Sequence, residues 1–529
     1  MNQLFICILS LLILSCGTQT PPSSHILRIR IANDPLTLDP RKSSDFVSST
    51  MVSLLYEGLT RSLPDGNVEM GVAERVDVSK DGKKYVFYLR NTEWSDGTPV
   101  TAFDFEASWK QVLNPTHPFV CSYLFYPILN AEAAVRGKKR LEDVGIRALN
   151  ERTLEILLER PTPYFLSLTA FPSFLPAPQH CLESIDSPTA GRISNGPFIL
   201  DQSKSQSLLF LRKNPTFWRH EKILLEGISI FIIPNDMTAL EMFERGELDW
   251  LGGHISSIPP DALPSLQARL QYFPIAASTF CSFNTERSPF SNELIRQAFS
   301  LAIDREEIAR EILPTDQLLA TRCIPPTLCN GKKRILFPSF NPVLAKELLR
   351  KGLMEISKLT PDAENPPSLP PITIQYRPGA IDERLAQVLK EMWENVLEIE
   401  VLLLQTDSKT HKDRLHKRNY DIALTSWIAQ YSDPINILER FKSRSNAKNY
   451  CSWEDPAFVA LLDAAQEMQN PIERMEILEK AEELLAEQVP FIPLYHWSNP
   501  TLAQPRVQNL QTTPGGGVLF ERCWIRGNL

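Results

Sequence analysis

The side chains able to do covalent or metal chemistry are numerous in this chain but badly spaced for it. Eight histidines are scattered along the sequence. The nearest pair, His411 and His416, is five apart, so the two do not share a helix face as metal ligands at i and i+4 do. Lys412, Arg414, Lys417 and Arg418 surround them, and the stretch reads as a basic, solvated helix face. No C-x-x-C and no Cys/His cluster with zinc spacing occurs. Cys323 and Cys329, separated by Ile-Pro-Pro-Thr-Leu, either close a small loop or remain buried thiols. G-x-S-x-G, H-E-x-x-H, Walker A and G-x-G-x-x-G are all missing. The run Gly515-Gly516-Gly517 lacks the Lys-Ser/Thr of a phosphate cradle and reads as a turn. Carboxylates are plentiful, but no pair is singled out for glycosidase-type chemistry. These residues carry no enzyme motif and no metal or cofactor signature, so neither an enzyme, a metal nor a cofactor is expected from them. A net charge of -8 carries no electrostatic footprint for nucleic acid.

A binding surface needs elements to hold it. With 529 residues, 43% hydrophobic and 22% charged, the chain is globular and too long for one core. Prolines outnumber glycines, 42 to 21, which indicates many stiff loops. Apolar runs at 85–89 and 228–233 end at Asn91 and Pro234 and suit buried strands. The clearest unit lies at 372–427. Ile372, Ile374 and Tyr376 alternate with polar residues, and a helix capped by Asp382 follows, with Leu385, Val388, Leu389, Met392 and Val396 on one face. Strands at 401–404 and 421–425, separated by a polar helix at 410–417, complete β-α-β-α-β, which implies a parallel sheet. Ligands bind beyond the carboxyl ends of such strands, so 426–434 is a site candidate. Asp455-Pro456 and Asn470-Pro471 start two further helices with apolar stripes. The proline-rich stretch 361–371 reads as a surface loop.

The N-terminus sets the compartment. An apolar run at 4–14 is too short for a bilayer-spanning anchor and fits a signal-peptide core, although Met1 to Gln3 lacks the customary positive charge. Ile13-Leu14-Ser15-Cys16 resembles a bacterial lipobox. Residues 1–15 are therefore expected to be a signal peptide and 16–23 a tether acylated at Cys16, holding the protein on the outer side of the cytoplasmic membrane.

From residue 36 to about 505 a series of motifs occurs in a recognisable order. They are Leu38-Asp39-Pro40, Tyr56-Glu57-Gly58-Leu59-Thr60-Arg61, Ser79-Lys80-Asp81-Gly82, Trp94-Ser95-Asp96-Gly97 and Val100-Thr101-Ala102-Phe103-Asp104-Phe105. Ser194-Asn195-Gly196-Pro197-Phe198, Lys213-Asn214-Pro215 with Trp218, Arg245-Gly246-Glu247-Leu248-Asp249, Arg296-Gln297-Ala298 with Ile303-Asp304-Arg305, and Tyr420-Asp421 with Trp427, Asp433 and Pro434 follow. The set resembles the extracytoplasmic solute-binding proteins, family 5, of peptide and nickel ABC importers, and most of all the oligopeptide-binding proteins. The resemblance implies an α/β, two-lobed periplasmic-binding-protein fold (class II, cluster C) with three domains around a ligand cleft. Domain I would be 24–57, 183–280 and 498–529, domain II the insertion 58–182, and domain III, the second lobe, 281–497. It further implies a monomer that closes on an extended peptide and delivers it to an ABC permease.

Carried over to this sequence, the resemblance places ligand-pairing backbone at Ser44 to Phe46 and at Ser426, Trp427 and Ile428, with Tyr123 near the pocket wall. Relatives that bind peptides place an Asp three residues after the Trp, against the ligand's α-ammonium. Here that position is Gln430, which supplies no charge. Asp433 could substitute, or could be a turn residue before Pro434. The missing charge leaves two alternatives open beside a peptide importer subunit. One is the same fold with an N-blocked or modified peptide, a glutathione-like peptide or a non-peptide solute. The other is an exported lipoprotein with a scaffolding role.

Overall fold

The computed structural model describes residues 25–117, 119–182, 191–311, 318–329, 331, 334–358 and 368–526. The signal segment, the tether with Cys16 and residues 361–367 of the proline-rich loop lie outside the described residues.

An eleven-stranded sheet runs through the molecule. In chain order the elements that build the cleft are β1 (Ile26–Ile31), α1 (Phe46–Leu55), β2 (Ala73–Val78), β3 (Lys84–Leu89), β4 (Ile146–Asn150) and β5 (Thr153–Leu157). They continue with β6 (Phe198–Lys204), β7 (Leu208–Lys213), β8 (Gly227–Ile232), β9 (Trp250–Gly252) and β10 (Gln271–Phe283). The last group is β11 (Ile372–Tyr376), α2 (Ala380–Leu397), β12 (Val401–Gln405), α3 (Ser408–His416), β13 (Ile422–Ile428), α4 (Pro456–Glu467), α5 (Pro471–Gln488) and β14 (Phe491–Ala503). Strand order in the large sheet is β12-β11-β13-β10-β14-β9-β1-β8-β7-β6, and the short strand Leu318–Leu319 also pairs with β14. A separate four-stranded antiparallel sheet has the order β2-β3-β5-β4.

β10 and β14, 13 residues each, pair side by side in the middle of the large sheet and join its two halves. One end of their ladder pairs Gln271 with Thr501, beside β9; the other pairs Ser282 with Phe491, beside β13. Between Pro274 and Ser278 the register shifts. Proline cannot donate to a ladder, and Pro274 stands at this break in the pairing.

β11, β12 and β13 pair in parallel, as the alternation predicts. Ile374, Leu385, Leu389, Val401 and Ile422 are buried in this unit. α2 corrects one expectation: it starts at Ala380 behind Gly379, whose φ of +153° favours glycine, and Asp382 sits inside its first turn instead of capping it. α4 and α5 are capped as expected, Asp455 accepting from the amides of Ala457 and Phe458 and Asn470 from that of Ile472. Cys323 and Cys329 are buried and remain thiols, so the small-loop alternative is set aside.

Candidate functional site

A cavity of about 480 Å³ opens between the lobes. α1 supplies one wall because Asp45 fixes its start: the carboxylate accepts from the Ser48 amide at 2.9 Å. That cap presents Ser49, Thr50 and Ser53 to the cavity. Facing them is the segment that leaves β13, with Ile428, Gln430 and Ser432 on the lining. The Gly515–517 turn lines the cavity as well; Gly516 has φ +84°, a backbone conformation that favours glycine. The turn expected there is present, and it belongs to the cavity wall.

The edge of β13 is the most informative feature. Ser426, Trp427 and Ile428 pair with Thr279, Ser278 and Ala277 of β10 on one side. On the other side the register with β11 stops at Ala423. Among the described residues no strand pairs the second edge of Ser426–Ile428. An open edge offers backbone donors and acceptors at strand spacing. The side chains of Ser426 and Trp427 do not reach the lining: Ser426 Oγ lies 3.1 Å from Thr279 Oγ1, and Trp427 is buried. Across the cleft, Ser44 and Phe46 line the cavity and are exposed.

Phe46 stacks on His254 with centroids 4.1 Å apart, and His254 in turn lies 5.7 Å from Trp497. Burial pushes the His254 imidazole down to about 4, so it is neutral at pH 7, and its Nε2 has no hydrogen-bond partner among the described residues. Tyr123, raised to about 12 by burial, accepts a hydrogen bond from Gln430 Nε2 through its hydroxyl. Gln430 therefore spans the cleft mouth with its amide. Three more contacts join the lobes there: Tyr164 stacks on Tyr431 at 4.7 Å, Arg160 lies 3.5 Å from Glu439, and Gln469 donates to the Lys80 carbonyl.

Asp433 stands apart from the ligand space. Both its oxygens are held by Arg474, at 2.8 and 2.9 Å, and Oδ1 also accepts from the Ile435 amide. A carboxylate so engaged is not available as a substitute counter-charge.

Sequence reasoning missed the charged floor. Arg61 is 2.5 Å from Glu521, 3.6 Å from Glu57 and 3.9 Å from Glu69. Burial raises the Glu57 carboxyl above its ordinary range, with Arg61 pulling the other way. The signal was present in Tyr56–Arg61, where an acid and a base stand four apart. Nothing in the sequence linked them to Glu521, some 460 residues on.

A cavity between two lobes joined by paired strands, with one open strand edge beside it, is the arrangement of a two-lobed extracytoplasmic solute-binding protein. Residues 67–449 match the family model described as bacterial extracellular solute-binding proteins, family 5 Middle, and the chain belongs to that family. It is 34% identical over 521 residues to the oligopeptide-binding protein OppA of Bacillus subtilis (strain 168), covering 96% of this chain and 94% of that one. The dipeptide-binding protein DppE of the same organism is 30% identical over 509 residues, 93% and 90% of the two chains. Among solved structures, the unliganded open form of the periplasmic murein tripeptide-binding protein MppA superposes with a TM-score of 0.81 at 25% identity, covering 95% and 98%.

Proposed function

We propose that the chain is the substrate-binding subunit of an ABC importer, capturing oligopeptides extended between its lobes and delivering them to a membrane permease, without catalysis. The open edge of Ser426–Ile428 beside the cavity carries this reading. A peptide laid along it completes a ladder whose bonds are common to all sequences, while the cavity accepts varied side chains. Ser44 to Phe46 would meet the ligand from the other lobe, and the relatives that bind oligopeptides and dipeptides support the class. The domain bounds 24–57, 183–280 and 498–529, 58–182 and 281–497 fit the crossing of β10 and β14 between lobes. Export, a monomeric state and acylation at Cys16 complete the proposal.

One observation favours a second reading, an N-blocked or modified peptide: position 430 carries no charge and its amide is engaged by Tyr123. Calorimetry with free di- to pentapeptides and their N-acetylated forms tests both. Free and blocked peptides binding alike would establish the second reading, and stronger binding of free peptides the first. Binding of neither would overturn the peptide assignment.

A further inference from the structure

Just behind Tyr123 on the cavity lining stand two cations that have no carboxylate partner among the described residues. Arg440 is only 8% exposed, yet among the described residues it forms no ion pair. Its Nε is buried without a hydrogen-bond partner, and Nη2 donates to a single carbonyl, that of Lys448, at 3.3 Å. Lys448 is exposed as a residue, but its ammonium sits 4.1 Å from the centroid of the Tyr123 ring in the opposite lobe.

Other buried arginines of this chain show what the fold normally does. Arg474 is held by Asp433, and Arg41 by Asp39. Arg296, which has no carboxylate, donates instead to the carbonyls of Phe290, Ser291, Gln488 and Val489, and Arg305 to those of Pro493 and Pro338. Arg440 has only the Lys448 carbonyl and, 5.7 Å from its guanidinium carbon, the centroid of the Tyr450 ring. The groups that act on its charge are Tyr450, Cys451, Cys323 and Tyr123, none of them a carboxylate. Desolvation and then Arg440 hold the Lys448 ammonium down to about 8, and Lys412 adds to the repulsion. An unpaired charge out of water is costly, and an anion brought to it recovers that cost.

Resting on the reading of the cleft as a peptide site, we propose that Lys448 and Arg440 form an anion-receiving subsite at its Tyr123 edge, so that favoured cargo places a carboxylate there. The neighbouring wall fits this polarity. Gln430 carries no charge, and Tyr123, whose ring lies under the Lys448 ammonium, is on the lining together with Cys121. A ligand ammonium at this end would meet two positive charges, whereas a carboxylate would supply the missing partner. A peptide offers that group from its C-terminus or from an Asp or Glu side chain.

The test uses four equimolar tripeptide mixtures: free acids or C-terminal amides, each with or without Asp and Glu. Retention is read by native mass spectrometry after dialysis against wild type, Lys448→Gln and Lys448→Arg. Wild type should retain the mixture lacking every carboxylate about tenfold less than the best mixture, one charge-assisted bond being lost. Lys448→Gln should erase that preference and Lys448→Arg should keep it. The mixture in which retention falls, amidated or free of acidic side chains, names the source of the carboxylate. Equal retention of all four mixtures by wild type overturns the subsite. So does a Lys448→Gln variant that loses all four equally, because Lys448 would then only clasp the lobes through Tyr123. If wild type retains no mixture, the peptide reading itself fails, and that result differs from the first two.

Discussion

Asp433→Asn would separate a structural brace from a ligand contact. In the folded protein Asp433 and Arg474 make two hydrogen bonds of 2.8 and 2.9 Å, with side chains only 10% and 8% exposed. Asparagine keeps an acceptor for the Ile435 amide, so the turn cap survives, but it removes the negative charge and leaves Arg474 buried without a counter-ion. Breaking one partner of such a buried pair costs about 3–5 kcal/mol. The double variant Asp433→Asn with Arg474→Met removes the orphaned charge as well, and should recover more than half of that loss. Urea unfolding followed by tryptophan fluorescence measures all three proteins, with peptide affinity taken in parallel below the transition. The expected pattern is a large stability loss in the single variant, a partial return in the double, and little change in affinity for peptides with and without a free N-terminus. A loss below about 1 kcal/mol, together with collapse of affinity for free peptides alone, would refute the brace and return Asp433 to the ligand.

Three further outcomes follow from the site and its surroundings. Tyr431→Ala removes the stack on Tyr164, about 0.5–1.5 kcal/mol of cross-lobe contact, and should enlarge the ligand-free radius of gyration in small-angle scattering; an unchanged radius would show that the stack does not hold the lobes. His254 and His411, depressed to about 4, and His496, depressed to about 3, are all lowered chiefly by burial. A histidine with a lowered folded pKa binds fewer protons folded than unfolded, so its contribution is fully present above about 6.5 and is lost as pH falls towards the folded value. Between pH 7 and 5 each should cost up to about 2 kcal/mol, and His254→Phe should flatten the urea midpoint against pH; an equal slope in that variant would contradict the assignment. Cys16→Ala should release the protein from membranes in fractionated cells, whereas membrane retention would rule out acylation there.

Sequence pattern served well wherever local chemistry decides structure. The β11-α2-β12-α3-β13 unit was readable because its alternation and its helical stripe are dictated by burial on known faces, and the caps of α4 and α5 because Asp-Pro and Asn-Pro satisfy nearby amides. The start of α2 was misplaced because Asp382 is a good cap by residue type, while Gly379 is selected by a backbone angle that no periodicity reveals. Position 430 could be flagged as neutral, but not its bond to Tyr123, which is 307 residues away and forms only when two lobes meet. The same separation hid Lys448 against Tyr123 and Glu521 against Arg61.

The cross-lobe contacts also bear on how closure is driven. Besides the Lys448 ammonium over the Tyr123 ring, one aromatic stack, one partly exposed ion pair and two side-chain hydrogen bonds join the lobes without a ligand. Taken singly, such contacts contribute about 0.5–1.5, 0–1 and 0.5–1.5 kcal/mol each, so together they supply only a few kcal/mol against the ordering of two lobes. A ligand shifts that balance only by what it gains in the closed state beyond the open one. The β13 edge alone gives no such difference, because it belongs to one lobe. The difference must come from groups that meet the ligand from both lobes at once, Ser44 to Phe46 and Tyr123 on one side and Gln430 and Lys448 on the other. Cargo reaching only one lobe would therefore bind without closing, and the side groups that reach both decide which bound peptides bring the lobes together.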